Sequence, residues 1–247
     1  MNYRDLLVDC HAHTSAVSVC CRKNASEIVD EAITAGIDGI ILTNHYDMRY
    51  IEDMHRYESV GKMAEAHVDE YRRAKAIGDE RGFLVMFGVE ISMKKYGGTH
   101  VLVYGIDEEF LLEHSDILFY TQAELYERVH AVGGAVVQAH PLRNGKNVLL
   151  DTSYLDGVEI SSHILYDGTH YEELSEFAYD NGLILTSGGD YHGDVPHRPY
   201  CGMYLPEYIT DTKKFAEYLR KTDSVHLLMQ EAPFAESCRM IFERKQK

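Results

Sequence analysis

Five short segments of this chain put imidazole and carboxylate side chains where predicted strands end: His11-Ala12-His13, Asn44-His45, Gly88-Val89-Glu90, Ala139-His140-Pro141 and Gly189-Asp190-Tyr191-His192. Imidazole nitrogen and carboxylate oxygen are ligands for borderline and hard divalent cations, so residues this far apart make one metal site only if the fold gathers the strand ends. The chemistry such a cluster offers is metal-assisted hydrolysis. His11 and His13 are two residues apart, so in an extended segment both side chains point to one side and can grip one ion.

The elements that must position these segments read as strand followed by helix, repeatedly, the pattern of a mostly parallel sheet or barrel. Predicted strands are Leu6–Val8, Gly39–Thr43, Phe83–Phe87, Val101–Tyr104, Ala135–Gln138, Val158–Ile160 and Leu183–Thr186, with a short eighth at His226–Leu228. Helices are expected from a cap at Asn24 or Ser26 to Ala35, over about 53–80, from the capping box Thr121-Gln122-Ala123-Glu124 to Ala131, over about 170–181 and near 212–220. In β/α barrels the strands' carboxyl ends carry the active site, because the loops there converge. His11, His13, His45, Glu90, His140, Asp190 and His192 all fall just beyond a predicted strand, whereas His100 opens one. No internal repeat, low-complexity tract or linker interrupts the chain, so one domain over 1–247, with its motif-bearing core at 5–230, is expected.

Composition narrows the classes. With 247 residues, 45% of them hydrophobic, the chain can bury the core of a single α/β barrel. The opening Met1–Leu6 lacks a signal-peptide core and no stretch approaches the roughly 18 apolar residues of a membrane span, which predicts a cytoplasmic protein. Five cysteines in no regular framework are expected to be reduced thiols. A formal charge of −16 argues against a nonspecific nucleic-acid surface, and anionic substrates would need the local positive charge that bound metal ions supply. The acidic run Asp107-Glu108-Glu109 reads as a solvated loop, and His55, His67, His114, His130, His170 and His226 read as surface or satisfied core residues.

Asp9-Cys10-His11-Ala12-His13-Thr14, Leu42-Thr43-Asn44-His45, Gly88-Val89-Glu90-Ile91, His100-Val101-Leu102, Ala139-His140-Pro141 and Ser187-Gly188-Gly189-Asp190-Tyr191-His192 together resemble the motifs of the PHP (polymerase and histidinol phosphatase) family, in family order. The resemblance implies an α/β fold, a distorted (β/α)7 TIM-like barrel, that binds two or three divalent ions, zinc, manganese or iron, and in stand-alone members is mostly a phosphoesterase. Carried over by position, one metal takes His11, His13, Glu90 and Asp190, with Glu90 bridging. A second takes Glu90, His100 and His140, and a third takes His45 and His192.

Two departures stand out. Asn44 replaces the family's Asp, keeping the hydrogen bond while lowering ligand basicity. The third metal's remaining family ligand, an Asp or His, has no counterpart in Ser15–Cys21, where Cys20 is the candidate and as a thiolate would favour zinc or iron.

With the resemblance, the expected activity is hydrolysis of a small phosphate monoester by metal-activated hydroxide, with Glu90, Asp190 and His192 as catalytic residues. Arg143, His197 and Arg198 follow ligand-bearing loops and are candidates to bind phosphoryl oxygens. Glu159, inside a strand, reads as a supporting residue, and His163 as either a site or a loop residue. The expected partner is a small phosphorylated metabolite or nucleotide. Rival readings are a histidinol-phosphate phosphatase, a non-catalytic metal-binding PHP module, and an amidohydrolase, for which the motifs lack a metal-bridging lysine.

Overall fold

Leu6–Ala12 (β1) is buried from its second residue onward, as a strand covered on both faces should be. It pairs in parallel with Gly39–Leu42 (β2). The two-residue His45–Tyr46 (β3) pairs with the outer half of Leu84–Met93 (β4), while the inner half of β4 pairs in parallel with β2. Residues 94–98 then turn the chain back, because so short a connection cannot make a parallel crossover. Thr99–Tyr104 (β5) therefore runs antiparallel both to β4 and to Ala135–Gln138 (β6). Gly157–Ser161 (β7) and Ile184–Gly188 (β8) resume the parallel order. The computed structural model describes residues 5–143, 149–163, 165, 168, 170–193, 198, 200–232 and 234–245.

Beyond β8 the chain returns to β1. Tyr191 bridges Ala12 in parallel and the Asp190 N–H donates to the His11 carbonyl at 2.9 Å, so the sheet nearly closes. The result is a distorted TIM-like barrel of seven strands, β1, β2 and β4 to β8, in which β5 is reversed. Gly202–Leu205 (β9), Ser224–Gln230 (β10) and Ser237–Glu243 (β11) extend the sheet beyond the other edge of β1 as an antiparallel meander. The barrel interior is filled with side chains: Tyr104 is fully buried and its hydroxyl donates to the Cys10 carbonyl across the barrel at 3.0 Å.

Local chemistry explains the helices. Ala25–Thr34 (α1) starts at a capping box between Asn24 and Glu27. The helix expected over about 53–80 starts later and runs from Val60 to Arg81 (α3), because the Ser59 hydroxyl caps its start and Gly82, in the left-handed region, ends it; a separate turn at Arg49–Glu52 (α2) precedes it. Asp107-Glu108-Glu109 is not a loop. Asp107 caps Glu108–Glu113 (α4), whose Phe110 and Leu111 are buried, and the two glutamates lie where the helix dipole favours negative charge. Gln122–Ala131 (α5) carries the expected Thr121–Glu124 box, and Tyr171–Asn181 (α6) and Thr212–Lys221 (α7) follow.

Candidate metal centre

The reversal of β5 brings His100 to the site. A strand running backwards presents its first residues at the end where its neighbours finish, and His100 pairs with Ser92, two residues past Glu90. Parallel pairing of β3 with β4 likewise puts His45 opposite Glu90.

Glu90 is the geometric hub. Its carboxylate is fully buried, and five imidazoles converge on its two oxygens. His100 Nδ1 and His140 Nε2 lie 2.7 and 2.9 Å from Oε1. His45 Nδ1, His11 Nε2 and His13 Nε2 lie 2.5, 3.3 and 3.5 Å from Oε2. Asp190 Oδ1 approaches His13 Nε2 at 2.9 Å and His11 Nε2 at 3.3 Å. His192 donates from Nδ1 to the Asp190 carbonyl at 2.7 Å, which leaves its Nε2 facing His45 Nε2 at 3.3 Å.

Among the described residues, three sets offer potential ligand atoms mutually within 4.8 Å: His11, His13, Glu90 and Asp190; His13, His45 and His192; and His45, Glu90 and His100. The first is the set expected for one metal. In the other two the grouping differs, since His45 joins Glu90 and His100, and His13 completes the set of His45 and His192.

The donors fit divalent cations. His11 Nε2 is buried without a hydrogen-bond partner, facing Glu90 Oε2 at 3.3 Å. Burial pushes the Glu90 carboxyl up, but His45, His100 and His11 outweigh it and hold it well below the usual carboxylate range. Burial likewise raises Asp190, and His11, Arg143 and His192 hold it well below. Burial and the adjacent Arg143 guanidinium lower His140 to about 3, so its imidazole is neutral, as a ligand must be. Burial also works against a charge on His11, but Glu159, Asp190 and Glu90 pull its pKa well above normal; this is a pocket that asks for positive charge.

The supporting shell is equally buried. Both Glu159 oxygens lie against His11 Nδ1, at 2.9 and 3.0 Å, and one also accepts the His140 N–H at 3.1 Å. A carboxylate behind the ring leaves Nε2 free to ligate. Gly188 makes room for this contact, since a Cβ there would lie 2.4 Å from His11 Cβ and 2.5 Å from Glu159 Oε1. Asn44 accepts from the Thr14 N–H at 2.8 Å and faces the Ser18 hydroxyl at 2.8 Å, contacts other than the direct bond to a ligand that the motif implies. His140 and Asp190 adopt φ of +31° and +46°, strained values for side-chain-bearing residues that place both at the hub.

The remaining candidates divide. Arg143 reaches the site, with its fork spanning Asp190 Oδ2 and Ser161 Oγ, both at 2.6 Å. Arg198 is not at an open rim: its side chain is buried and bonded to Asp9 at 2.5 Å, and Asp9 in turn accepts the His11 and Gly189 N–H groups. His197 lies outside the described residues. Cys20 belongs to none of the three sets; it sits exposed, and its thiol is pushed up to about 12 by partial burial and by Asp190 and Glu90, the reverse of a ready thiolate. His163 is buried, its ring edge-on to His192 with centroids 5.9 Å apart. His67 is a core residue, its ring nitrogens at 2.8 and 3.0 Å from the Met63 and His45 carbonyls. Beside His100 opens a cavity of about 500 Å³ lined by Asp47, Arg49, Glu52, Ser92 and Lys94 among others.

A distorted barrel with a carboxylate-centred cluster of histidines at its strand ends defines the class: α/β barrels with a donor set of the composition that metal-dependent hydrolases use. The sequence matches the PHP domain over residues 9–225, and the chain belongs to that family.

Three solved structures share the fold. A Bifidobacterium adolescentis protein provisionally described as a metal-dependent phosphoesterase is 18% identical, with a TM-score of 0.56 over 90% of this chain and 99% of its own. PsfC from Pseudomonas syringae is 16% identical, with a TM-score of 0.52 over 95% of this chain and 86% of its own. An amidohydrolase from Chromobacterium violaceum, with bound sulfate and no metal, is 17% identical, with a TM-score of 0.52 over 86% of this chain and 96% of its own. No curated protein matches the sequence.

Proposed function

We propose that this chain is a metal-dependent hydrolase of small phosphate monoesters, acting on a phosphorylated metabolite or nucleotide with two or three zinc, manganese or iron ions. The observation that carries the reading is the convergence of five imidazoles on the two oxygens of one buried glutamate, with the inward His11 Nε2 left without a hydrogen-bond partner. His11, His13, Glu90 and Asp190 would hold one ion, and His45, His100, His140 and His192, with Glu90, would hold the others. A metal bound by these residues would supply a water of lowered pKa and positive charge for phosphoryl oxygens.

The chain's own residues do the rest. Glu159 orients His11, and the strained turns at His140 and Asp190 fix both side chains at the hub. Arg143, whose fork already spans Asp190 and Ser161, is placed to turn one N–H pair toward a phosphoryl group. Asp190 and His192 are the groups placed to handle protons at the ester. The cavity beside His100, flanked by Arg49 and Lys94, accommodates the rest of the substrate. We read the unit as a single cytoplasmic domain; among the described residues no helix is long and apolar enough to cross a membrane.

The test is to strip the protein with chelator, reload it with Mn or Zn, and follow phosphate release across a broad panel that includes histidinol phosphate. Turnover of phosphate monoesters supports the reading. Full metal occupancy without turnover identifies a non-catalytic metal-binding module, and release of ammonia or amine from amide substrates identifies C–N hydrolysis.

A further inference from the structure

The loop between β1 and α1 folds back under the metal centre and buries Thr14 and Ser18 completely. Ser18 Oγ lies 2.8 Å from Asn44 Oδ1, 3.0 Å from the His45 backbone nitrogen and 3.2 Å from His13 Nδ1. The orientation of Asn44 is fixed by its other contacts: Oδ1 accepts the Thr14 N–H at 2.8 Å while Nδ2 donates to Thr14 Oγ1 at 3.0 Å. A flipped amide would set two N–H groups against that backbone N–H.

With Oδ1 so placed, the protons can be assigned. An amide oxygen only accepts, so the single Ser18 hydroxyl proton goes to Asn44. The Ser18 oxygen then has two lone pairs for two neighbours. One takes the His45 N–H, and the other faces His13 Nδ1, which must therefore carry a proton. A bare Nδ1 would set two lone pairs together between fully buried groups.

We infer that Ser18 and Asn44 form a neutral hydrogen-bond relay that fixes His13 with its proton on Nδ1 and its Nε2 lone pair aimed at Glu90 and Asp190, making Ser18 a positioning residue for that ligand. The inference rests on the reading of His13 as a metal ligand. It adds a contrast within the His-x-His pair: His11 is backed by the Glu159 carboxyl group, whereas His13 is backed by a hydroxyl and an amide. A carboxylate behind an imidazole raises its basicity and a neutral relay does not, so the two adjacent ligands differ in donor strength while sharing one ion. The same relay ties the first two motif segments together, since Asn44 and His45 are both held by the loop that follows His13.

The experiment is long-range ¹H–¹⁵N correlation NMR on zinc-loaded protein labelled at histidine nitrogen, paired with competition for zinc by a chelator. His13 is expected to show a protonated Nδ1 and a zinc-bound Nε2. Ser18→Ala should weaken zinc retention roughly 10–100-fold, while Ser18→Thr, which keeps the hydroxyl, should stay near wild type. Zinc on Nε2 with unchanged retention in Ser18→Ala overturns this inference alone. Zinc on Nδ1 does so as well. A His13 ring blind to zinc at both nitrogens overturns it together with the ligand reading. Should Ser18→Ala not fold, the wild-type spectrum decides by itself which nitrogen carries the proton.

Discussion

Two of the concavities that the described residues form are nearly equal in size and share almost no chemistry. One, of about 500 Å³, opens beside His100 at the carboxyl ends of the barrel strands. The other, of about 530 Å³, lies on the outer face of the β1–β9–β10–β11 extension, lined by Leu7, Tyr204, His226, Arg239 and Ile241 among others. The second has a histidine and an arginine too, but His226 is exposed and Arg239 lies over the Tyr204 ring, 4.3 Å from its centroid. Charges there are solvated and need no further partner. His100 lines the first, and behind its ring three carboxylates, Glu90, Glu159 and Asp190, are buried among imidazoles, which only compensating positive charge makes tolerable. Volume does not tell the two apart; buried charge does.

If that division is right, the largest effect belongs to Glu90. Glu90→Gln removes the charge on which five imidazoles converge, so metal affinity should fall by more than the roughly 10–100-fold typical of a supporting residue, and turnover should be lost with it. Metal content after equilibrium dialysis, measured by mass spectrometry, checks this. Near-normal occupancy would show that the hub is not the organising ligand.

Arg198→Met should act on stability. It strands the Asp9 carboxylate, fully buried between β1 and the turn after β8, and the loss of one partner from a buried pair costs about 3–5 kcal/mol. Denaturant unfolding measures it. A shift under about 1 kcal/mol would mean that the His11 and Gly189 N–H groups suffice to hold Asp9. Smaller again is Glu159→Gln, for which about 10–100-fold weaker metal retention and little loss of fold are expected, because the amide can still accept from His11 while losing its charge.

The residues behind these predictions were not equally legible. The His-x-His pair, Glu90, His140 and the Asp190–His192 segment follow apolar runs, so strand ends and chemistry coincide in the sequence itself. Glu159 left a signal of a different kind: between Val158 and Ile160 in a fully buried strand, alternation turns it toward the barrel interior, where a charge needs a reason. The direction of β5 was hidden, because an apolar run does not encode which way it travels; only the short connection after Met93 betrays the reversal that brings His100 to the hub. β11 was missed since it alternates weakly, with Ile241 60% exposed at the edge of the sheet. Nothing near Ser18 announces its role, because a serine five residues past a histidine is matched by countless loops.

The smallest predicted effect is the one that bears hardest on the comparison. Arg239→Ala removes a stacked guanidinium from an exposed surface, where such contacts contribute about 0.5–1 kcal/mol, and leaves every group around Glu90 in place. Stability should fall by no more than that, and metal content and turnover should match wild type. The strands offer a mechanical route between the regions, since Leu7 on β1 pairs with Tyr204, under Arg239, and β1 continues to His11. Tight packing resists passing on a small surface change unless the structure has a second arrangement to adopt. Loss of metal in Arg239→Ala would therefore mean that β1 shifts as a unit, and the two concavities would have to be treated as one coupled system.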